Sequence, residues 1–310
     1  MRSSGCVAVV FLLGASLALA AEDPGHEMVF NDGRRLALPA AGAAEASRGP
    51  STSRPFRPAR MDATESLAVG SLASPVPEVR AGLKPLTAGL GQEVVIGWDT
   101  RTRNRTLDYP ATADVLIESD QGQCSGALIG DDTVATAGHC VHGGPGGDWS
   151  TGIIVWAGYD AGNVWGGCLA LWTATVTAWV DQGKEDYDYG VVKLNCNIGN
   201  NVGWFGFMWQ GGSLKNKPAT ITGYPGDVSP GLTQWQSHNV AAVSQARQLF
   251  YQNDTFGGMS GSPIWLDKDG PYLIGIHAYG PHGRAPHSLH NHGTRITKAV
   301  FNNLVSWINQ

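Results

Sequence analysis

The stretch best suited to covalent chemistry is a serine among glycines, Gly257-Gly258-Met259-Ser260-Gly261-Ser262-Pro263. A serine hydroxyl attacks carbonyls poorly unless a base takes its proton and donors meet the developing oxyanion. Gly258 and Gly261 allow a tight turn, and the N–H groups of Gly258 and Ser260 are the candidate oxyanion donors. Thr136-Ala137-Gly138-His139-Cys140 supplies a base, His139, and Asp188 supplies an acid that can orient the imidazole. Asp186 competes for that role, but Asp188 stands directly before the run Tyr189-Gly190-Val191-Val192-Lys193-Leu194, so Asp186 is assigned to the turn. Each piece alone has an ordinary reading: a chance match in a chain with 42 glycines, a packed histidine, a strand-end acid. The three together, in the order His, Asp, Ser and separated by 49 and 72 residues, point to acyl transfer through a serine nucleophile.

At these residues the chain resembles the chymotrypsin-fold serine proteases, and within them the secreted glutamyl endopeptidases of bacteria. The matching stretches are Gln123 to Gly130, Thr133 to Cys140, Asp186 to Leu194, Asn253 to Pro263 and Ile274 to His277. The resemblance runs from about Val94 to the C-terminus and implies a triad of His139, Asp188 and Ser260 with Gly258 and Ser260 as oxyanion hole. It also implies that Thr255 and His277 line the primary specificity pocket, where a hydroxyl and an imidazole N–H donate to a substrate carboxylate. The expected activity is endoproteolysis after Glu, with Asp weaker, and no cofactor or metal is called for. In this family the α-amine of the mature N-terminus helps bind the acidic side chain, a role that falls here to Val94.

Three other readings compete. Asp254 lies six residues before Ser260, where trypsin-like enzymes keep the carboxylate that binds Arg or Lys. Against a basic substrate stand His277 and Met259, the latter where those enzymes keep an aspartate to receive a new N-terminus. An esterase would need Gly-x-Ser-x-Gly and another triad order, whereas position 262 is Ser and Pro263 follows. A silent binding protein on the same fold is disfavoured because all three triad positions are filled. The chain departs from the family at Ala278-Tyr279 and in a loop with His282, His287, His290 and His292, four side chains expected in solvent, with a metal site or a pH-sensitive rim as the lesser reading.

These residues need elements to position them. From Val94 short β-branched and aromatic runs alternate with glycine: Val115 to Ile117, Ile153 to Trp156, Thr173 to Val180, Thr220 to Thr222 and Leu273 to His277. The expected fold is all-β: two packed antiparallel chymotrypsin-like barrels with a C-terminal helix. Barrel one is placed at about 94–200 and barrel two at about 201–295, so the site forms at their interface. Val300, Phe301, Leu304, Val305 and Ile308 behind Thr297 predict a helix over 297–308 docked on the second barrel.

Residues 1–20 run from Arg2 through an apolar stretch to Ala18-Leu19-Ala20 and read as a removable signal peptide carrying Cys6 away. Residues 21–93, rich in Ala, Pro, Gly, Ser and Arg, read as a largely disordered propeptide cut between Glu93 and Val94. The remaining Cys124, Cys140, Cys168 and Cys196 suggest disulfides in an oxidising compartment, with three possible pairings. The resemblance implies Cys124 with Cys140 and leaves Cys168 with Cys196; without a Cys-x-x-Cys pair, zinc is the weaker reading. A formal charge of −5 and the lack of a basic tract disfavour nucleic acid. The expected product is a secreted monomer acting on proteins or peptides, away from membranes.

Overall fold

The computed structural model describes residues 23–37, 52–59, 84–85, 93–162 and 165–310. The predicted signal peptide lies outside these residues, and no described helix is long and apolar enough to cross a membrane.

Four short strands precede the barrels: β1 (Met28–Phe30), β2 (Arg35–Leu36), β3 (Thr52–Ser53) and β4 (Thr102–Arg103). Six strands, β5 (Asp114–Glu118), β6 (Gln123–Leu128), β7 (Thr133–Thr136), β8 (Ile154–Ala157), β9 (Gly167–Val176) and β10 (Gly190–Leu194), pair antiparallel, and β10 closes on β9. After β11 (Gly206–Met208), six more close the second barrel: β12 (Pro218–Gly223), β13 (Trp235–Ser244), β14 (Gln248–Tyr251), β15 (Pro263–Asp267), β16 (Pro271–Tyr279) and β17 (Asn291–Arg295). The expected pair of barrels is therefore present. The run Thr173 to Val180 is not all strand: β9 ends at Val176 and α1 (Thr177–Gln182) follows, stopped by Gly183 in the left-handed region.

Every residue of β5 is buried, because both of its faces are covered. The two-residue period sends Val115 and Ile117 into the core of barrel one. Leu116 joins Ile154, Trp156, Tyr159 and Tyr224 in a cluster that ties the barrels together. Barrel two encloses Leu249, Tyr251, Met259, Ile264 and Ile274. At roughly 1.5–3 kcal/mol for each large apolar side chain withdrawn from water, these clusters supply the force that holds the interface shut.

Helix α2 (Gly199–Val202) is a single turn, and α3 (Lys298–Ile308) is the expected C-terminal helix. Thr297 caps α3 by accepting from Val300 N, and Val300, Asn303, Leu304 and Trp307 form its buried stripe. The helix docks mainly on barrel one rather than barrel two, while Phe301 also packs on Phe207 of β11 with ring centroids 5.0 Å apart. Lys193 Nζ donates to Ile308 O at 3.1 Å, Asn303 Nδ2 donates to Tyr189 Oη at 2.8 Å, and Trp307 packs on Tyr189. Of the predicted stripe Val300 and Leu304 are buried, whereas Phe301, Val305 and Ile308 are only partly covered and Asn303 and Trp307 complete the buried face, because the surface that receives the helix sets its rotation.

Residues 23–37 depart from the expectation of disorder. β1 pairs with β9, Met28 opposite Val176 and Phe30 opposite Ala174, and all three of its side chains are buried. Asp23 accepts from Tyr187 Oη and Arg247, and His26 lies 2.7 Å from Tyr189 Oη. A run of three apolar residues is too short to show a period in sequence. The β9 edge that it pairs with exists only after folding. β3 pairs with β11 on barrel two, so the segment before Glu93 touches both barrels.

Candidate active site

His139 sits in a 3₁₀ turn, Gly138–Cys140, that leaves the end of β7. Cys140 is bonded to Cys124 on β6, and Cys168 to Cys196, as the resemblance implied. The disulfide pins the turn to the barrel wall beside His139. Gly138 is required by a close approach: a Cβ there would stand 2.9 Å from Asp188 Oδ1. That oxygen accepts from His139 N at 2.8 Å, and Oδ2 lies 2.7 Å from His139 Nδ1. Burial pulls the imidazole pKa down, but the charge of Asp188 and its hydrogen bond outweigh burial and hold it above its ordinary value. The competing acid, Asp186, lies in the turn with an oxygen 4.0 Å from Arg247.

Ser260 lies in the loop between β14 and β15. Gly261 takes φ +86°, and a Cβ there would meet Ser125 O at 2.2 Å; Gly258 takes φ +100° with Tyr224 O in the way at 2.6 Å. No other residue type fits either position. Ser125 stitches the loop to β6, its N–H donating to Ser260 O and its hydroxyl to Gly258 O, both at 2.8 Å. Gly261 N donates to His277 O at 2.7 Å, which ties the serine to β16.

The Ser260 hydroxyl donates not to His139 but to Glu93 Oε1, at 2.5 Å. His139 Nε2, the nitrogen left for the serine, is buried without a hydrogen-bond partner among the described residues. Glu93 is itself buried, 1% exposed, and burial raises its pKa to about 7 against the pull of the Ser260 bond. The same carboxylate oxygen lies 3.7 Å from His277 Nε2. Tyr251 Oη lies 2.6 Å from His277 Nδ1, and burial depresses His277 to about 3, with the charges of His292 and His139 adding to the effect. In a neutral imidazole that accepts from Tyr251 at Nδ1, the hydrogen is on Nε2, facing the carboxylate. Thr255 Oγ1 is buried without a partner among the described residues, while its N–H donates to Val94 O at 3.3 Å. Val94 O also accepts from Asn291 Nδ2 at 2.7 Å.

Asp254 does not face this pocket. One carboxylate oxygen accepts from Ile96 N at 2.8 Å; the other accepts from Thr100 N at 2.8 Å and from its hydroxyl at 2.5 Å. The carboxylate that suggested a basic substrate anchors residues 96–100.

The predicted residues His139 and Asp188 from barrel one thus meet Ser260, Thr255, His277 and Val94 at the interface. Sequence reading missed Tyr279, whose hydroxyl donates to Asp188 Oδ2 at 2.6 Å, and Tyr251 and Asn291 behind the pocket. The only sequence signal was Tyr279 itself, where the chain leaves the family pattern. Expected in solvent, the four loop histidines are distributed otherwise. His292 is fully buried between the rings of Phe250 and Tyr279, because β17 pairs with both β14 and β16. His282 and His287 are half-buried and converge with it on Glu185, and His290 Nδ1 lies 3.0 Å from Pro286 O. Burial pushes Glu185 up, yet the His292 hydrogen bond and the nearby histidines hold it below the usual carboxylate range, while burial lowers His292.

Comparison with known proteins agrees with this geometry. The Trypsin family model matches residues 95–308. Over 232 residues the chain is 39% identical to a glutamyl endopeptidase of Bacillus licheniformis, covering 73% of this chain and 72% of that protein. It is 34% identical over 227 residues to a Bacillus subtilis protein named extracellular metalloprotease, covering 70% of each. A solved Glu endopeptidase in complex with MPD superposes with a TM-score of 0.65 at 28% identity, covering 70% of this chain and all of that one. With two closed barrels and a matching site-bearing domain, the chain belongs to the trypsin family and is a serine endopeptidase homologous to the bacterial glutamyl endopeptidases.

Proposed function

We propose that this is a secreted endopeptidase that cuts after Glu, with Asp weaker, and is made as a precursor blocked by its own Glu93. The observation that carries the reading is Glu93 itself: a buried glutamate with one oxygen on Ser260 Oγ and 3.7 Å from His277 Nε2. A pocket that buries a carboxylate beside a neutral imidazole N–H and the free hydroxyl of Thr255 suits an acidic side chain. A neutral analogue would leave these donors less well paired.

In the active form a substrate glutamate replaces Glu93 and its scissile carbonyl lies over Ser260. His139 Nε2 accepts the hydroxyl proton as Ser260 Oγ bonds to the carbonyl carbon, and the electron pair displaced onto oxygen is met by Gly258 and Ser260 N–H. His139 returns the proton to the leaving amine as the C–N bond breaks, leaving an acyl-enzyme. Water then repeats the sequence and frees the new carboxyl group. Asp188 holds the imidazole by its Nδ1 side and stabilises the imidazolium. Cleavage between Glu93 and Val94 turns the Val94 amide into an α-amine, a positive charge beside the pocket. In bulk water a pair of charges 4 Å apart gains only about 1 kcal/mol, so the amine matters because this site is desolvated.

Digestion of a denatured protein with the matured enzyme, with cleaved bonds read by mass spectrometry, tests the specificity: cuts after Glu are expected, and cuts mainly after Arg or Lys overturn it. N-terminal sequencing of the secreted wild type and of Ser260→Ala tests maturation. Val94 in the wild type alone means self-cleavage, Val94 in both means an outside protease, and any other start removes the amine from the pocket. The metalloprotease name of the Bacillus subtilis relative makes a third test useful. Covalent labelling of Ser260 by an organofluorophosphonate with loss of activity is expected, and activity untouched by the reagent overturns the serine mechanism.

A further inference from the structure

We propose that Glu185, His287 and His292, with His282 holding the other oxygen of the Glu185 carboxylate, form a binding site for one divalent transition-metal ion of the zinc class, clasping the two barrels beside the triad. One ligand atom from each of Glu185, His287 and His292 lies within 4.8 Å of the other two. Glu185 Oε2 is 3.4 Å from His292 Nε2 and 4.0 Å from His287 Nε2, while Oε1 is 2.9 Å from His282 Nε2. Ligand atoms bound to one tetrahedral ion at about 2.0 Å stand about 3.3 Å apart. His292 already meets that spacing to Glu185, and His287, half-exposed, has to move toward the carboxylate from 4.0 Å. The ring centroids of the three histidines are 4.9 to 5.5 Å apart, so the imidazoles converge rather than line a surface.

The donor set names the class of ion. Imidazoles with one carboxylate suit zinc, cobalt, nickel or copper, whereas calcium and magnesium take oxygen. The site is also built. His292 is fixed between Phe250 and Tyr279 with both ring contacts stacked, and its Nε2 faces Glu185. His287 is held edge-on to Phe250, with Nε2 3.1 Å from Gln248 Oε1, the contact that the ion would replace. None of these side chains has a part in peptide hydrolysis as described above.

The ligands come from both barrels. Glu185 opens the 3₁₀ turn that ends at Asp188, whose N–H donates to Glu185 O at 3.2 Å. His282, His287 and His292 belong to the segment from the end of β16 into β17. A bound ion therefore fastens the turn carrying Asp188 to the barrel carrying Ser260.

The test uses the full chain as Ser260→Ala, which removes self-digestion, stripped with chelator and titrated with Co²⁺ while visible absorption and thermal unfolding are followed. Expected are one equivalent bound, the intense d–d bands of a four- or five-coordinate nitrogen and oxygen site, bleaching by Zn²⁺, and a raised Tm. Glu185→Gln and His287→Ala, at partly exposed positions, are each expected to weaken binding at least ten-fold while unfolding in chelator at nearly the Tm of the parent. Overturning results are spectra no different from aqueous Co²⁺, saturation by Ca²⁺ in preference to Co²⁺, or one equivalent still bound with unchanged bands when Glu185→Gln and His287→Ala are combined.

Discussion

Tyr279 Oη donates to Asp188 Oδ2 over 2.6 Å, the same oxygen that lies 2.7 Å from His139 Nδ1. Two donors thus share one carboxylate oxygen inside a site where Asp188 is fully buried. Tyr279→Phe removes one donor and keeps the ring against His292. A hydrogen bond to a charged group is worth about 1.5–3 kcal/mol, so kcat/KM is expected to fall about ten-fold or more. With the hydroxyl gone, more negative charge faces the imidazole, which binds its proton more tightly. The acid limb of the pH–rate profile should move to higher pH, a shift that lost packing alone would not produce.

Ser260→Ala and His139→Ala should each give a folded, secreted protein with peptide hydrolysis reduced by roughly 10⁶-fold, because these side chains act as one unit. Assay of the purified variants on a Glu-containing peptide checks this. Undiminished turnover by Ser260→Ala would remove the serine from the chemistry.

His277→Ala should reduce the preference for Glu over Gln before the cut by about 10- to 100-fold, the worth of a hydrogen bond to a charged group. Tyr251→Phe should act in the same direction more weakly, since Nδ1 loses the hydroxyl 2.6 Å away that favours the Nε2 hydrogen. Paired Glu and Gln substrates give the measurement. An unchanged ratio in His277→Ala would separate this histidine from recognition.

Asp254→Asn should leave the preference for Glu intact while lowering stability by about 2 kcal/mol, because one amide oxygen cannot serve two N–H groups and a hydroxyl. Denaturant unfolding and cleavage-site mapping report the two effects separately. A change of specificity with no loss of stability would return Asp254 to the pocket.

Glu93 gives the uncut chain a pH dependence. Its folded pKa, raised by burial to about 7, exceeds the ordinary value of 4.5. The folded state then binds the proton more tightly, so the contribution is full below pH 4.5 and is lost as pH rises through about 7. Over the whole range it amounts to about 3 kcal/mol at 1.36 kcal/mol per pKa unit. In a His139→Ala background, which prevents self-cleavage, Glu93→Gln should gain Tm relative to its parent as pH increases across this window. A constant difference between the two would mean that Glu93 does not titrate there.

The sequence by itself determined the fold class, the disulfide partners through the family resemblance, the C-terminal helix and the glycines around Ser260, and it supplied the residues proposed as the triad. Those features rest on local requirements that any folded form must meet. Only glycine fits at 258 and 261 against Tyr224 O and Ser125 O, and an apolar stripe with a Thr297 cap makes a helix wherever it docks. Tertiary structure decided what depends on pairs distant in sequence. Asp254 faces Ile96 and Thr100 instead of the pocket, α3 docked mainly on barrel one, and Met28 to Phe30 found the edge of β9. The same holds for the Glu93 carboxylate on Ser260, 167 residues away, and for His292 and Glu185, 107 residues apart. A side chain's partner is set by which surfaces the closed barrels bring together and desolvate. That information exists in the packing of the two barrels and not in the spacing of residues along the chain.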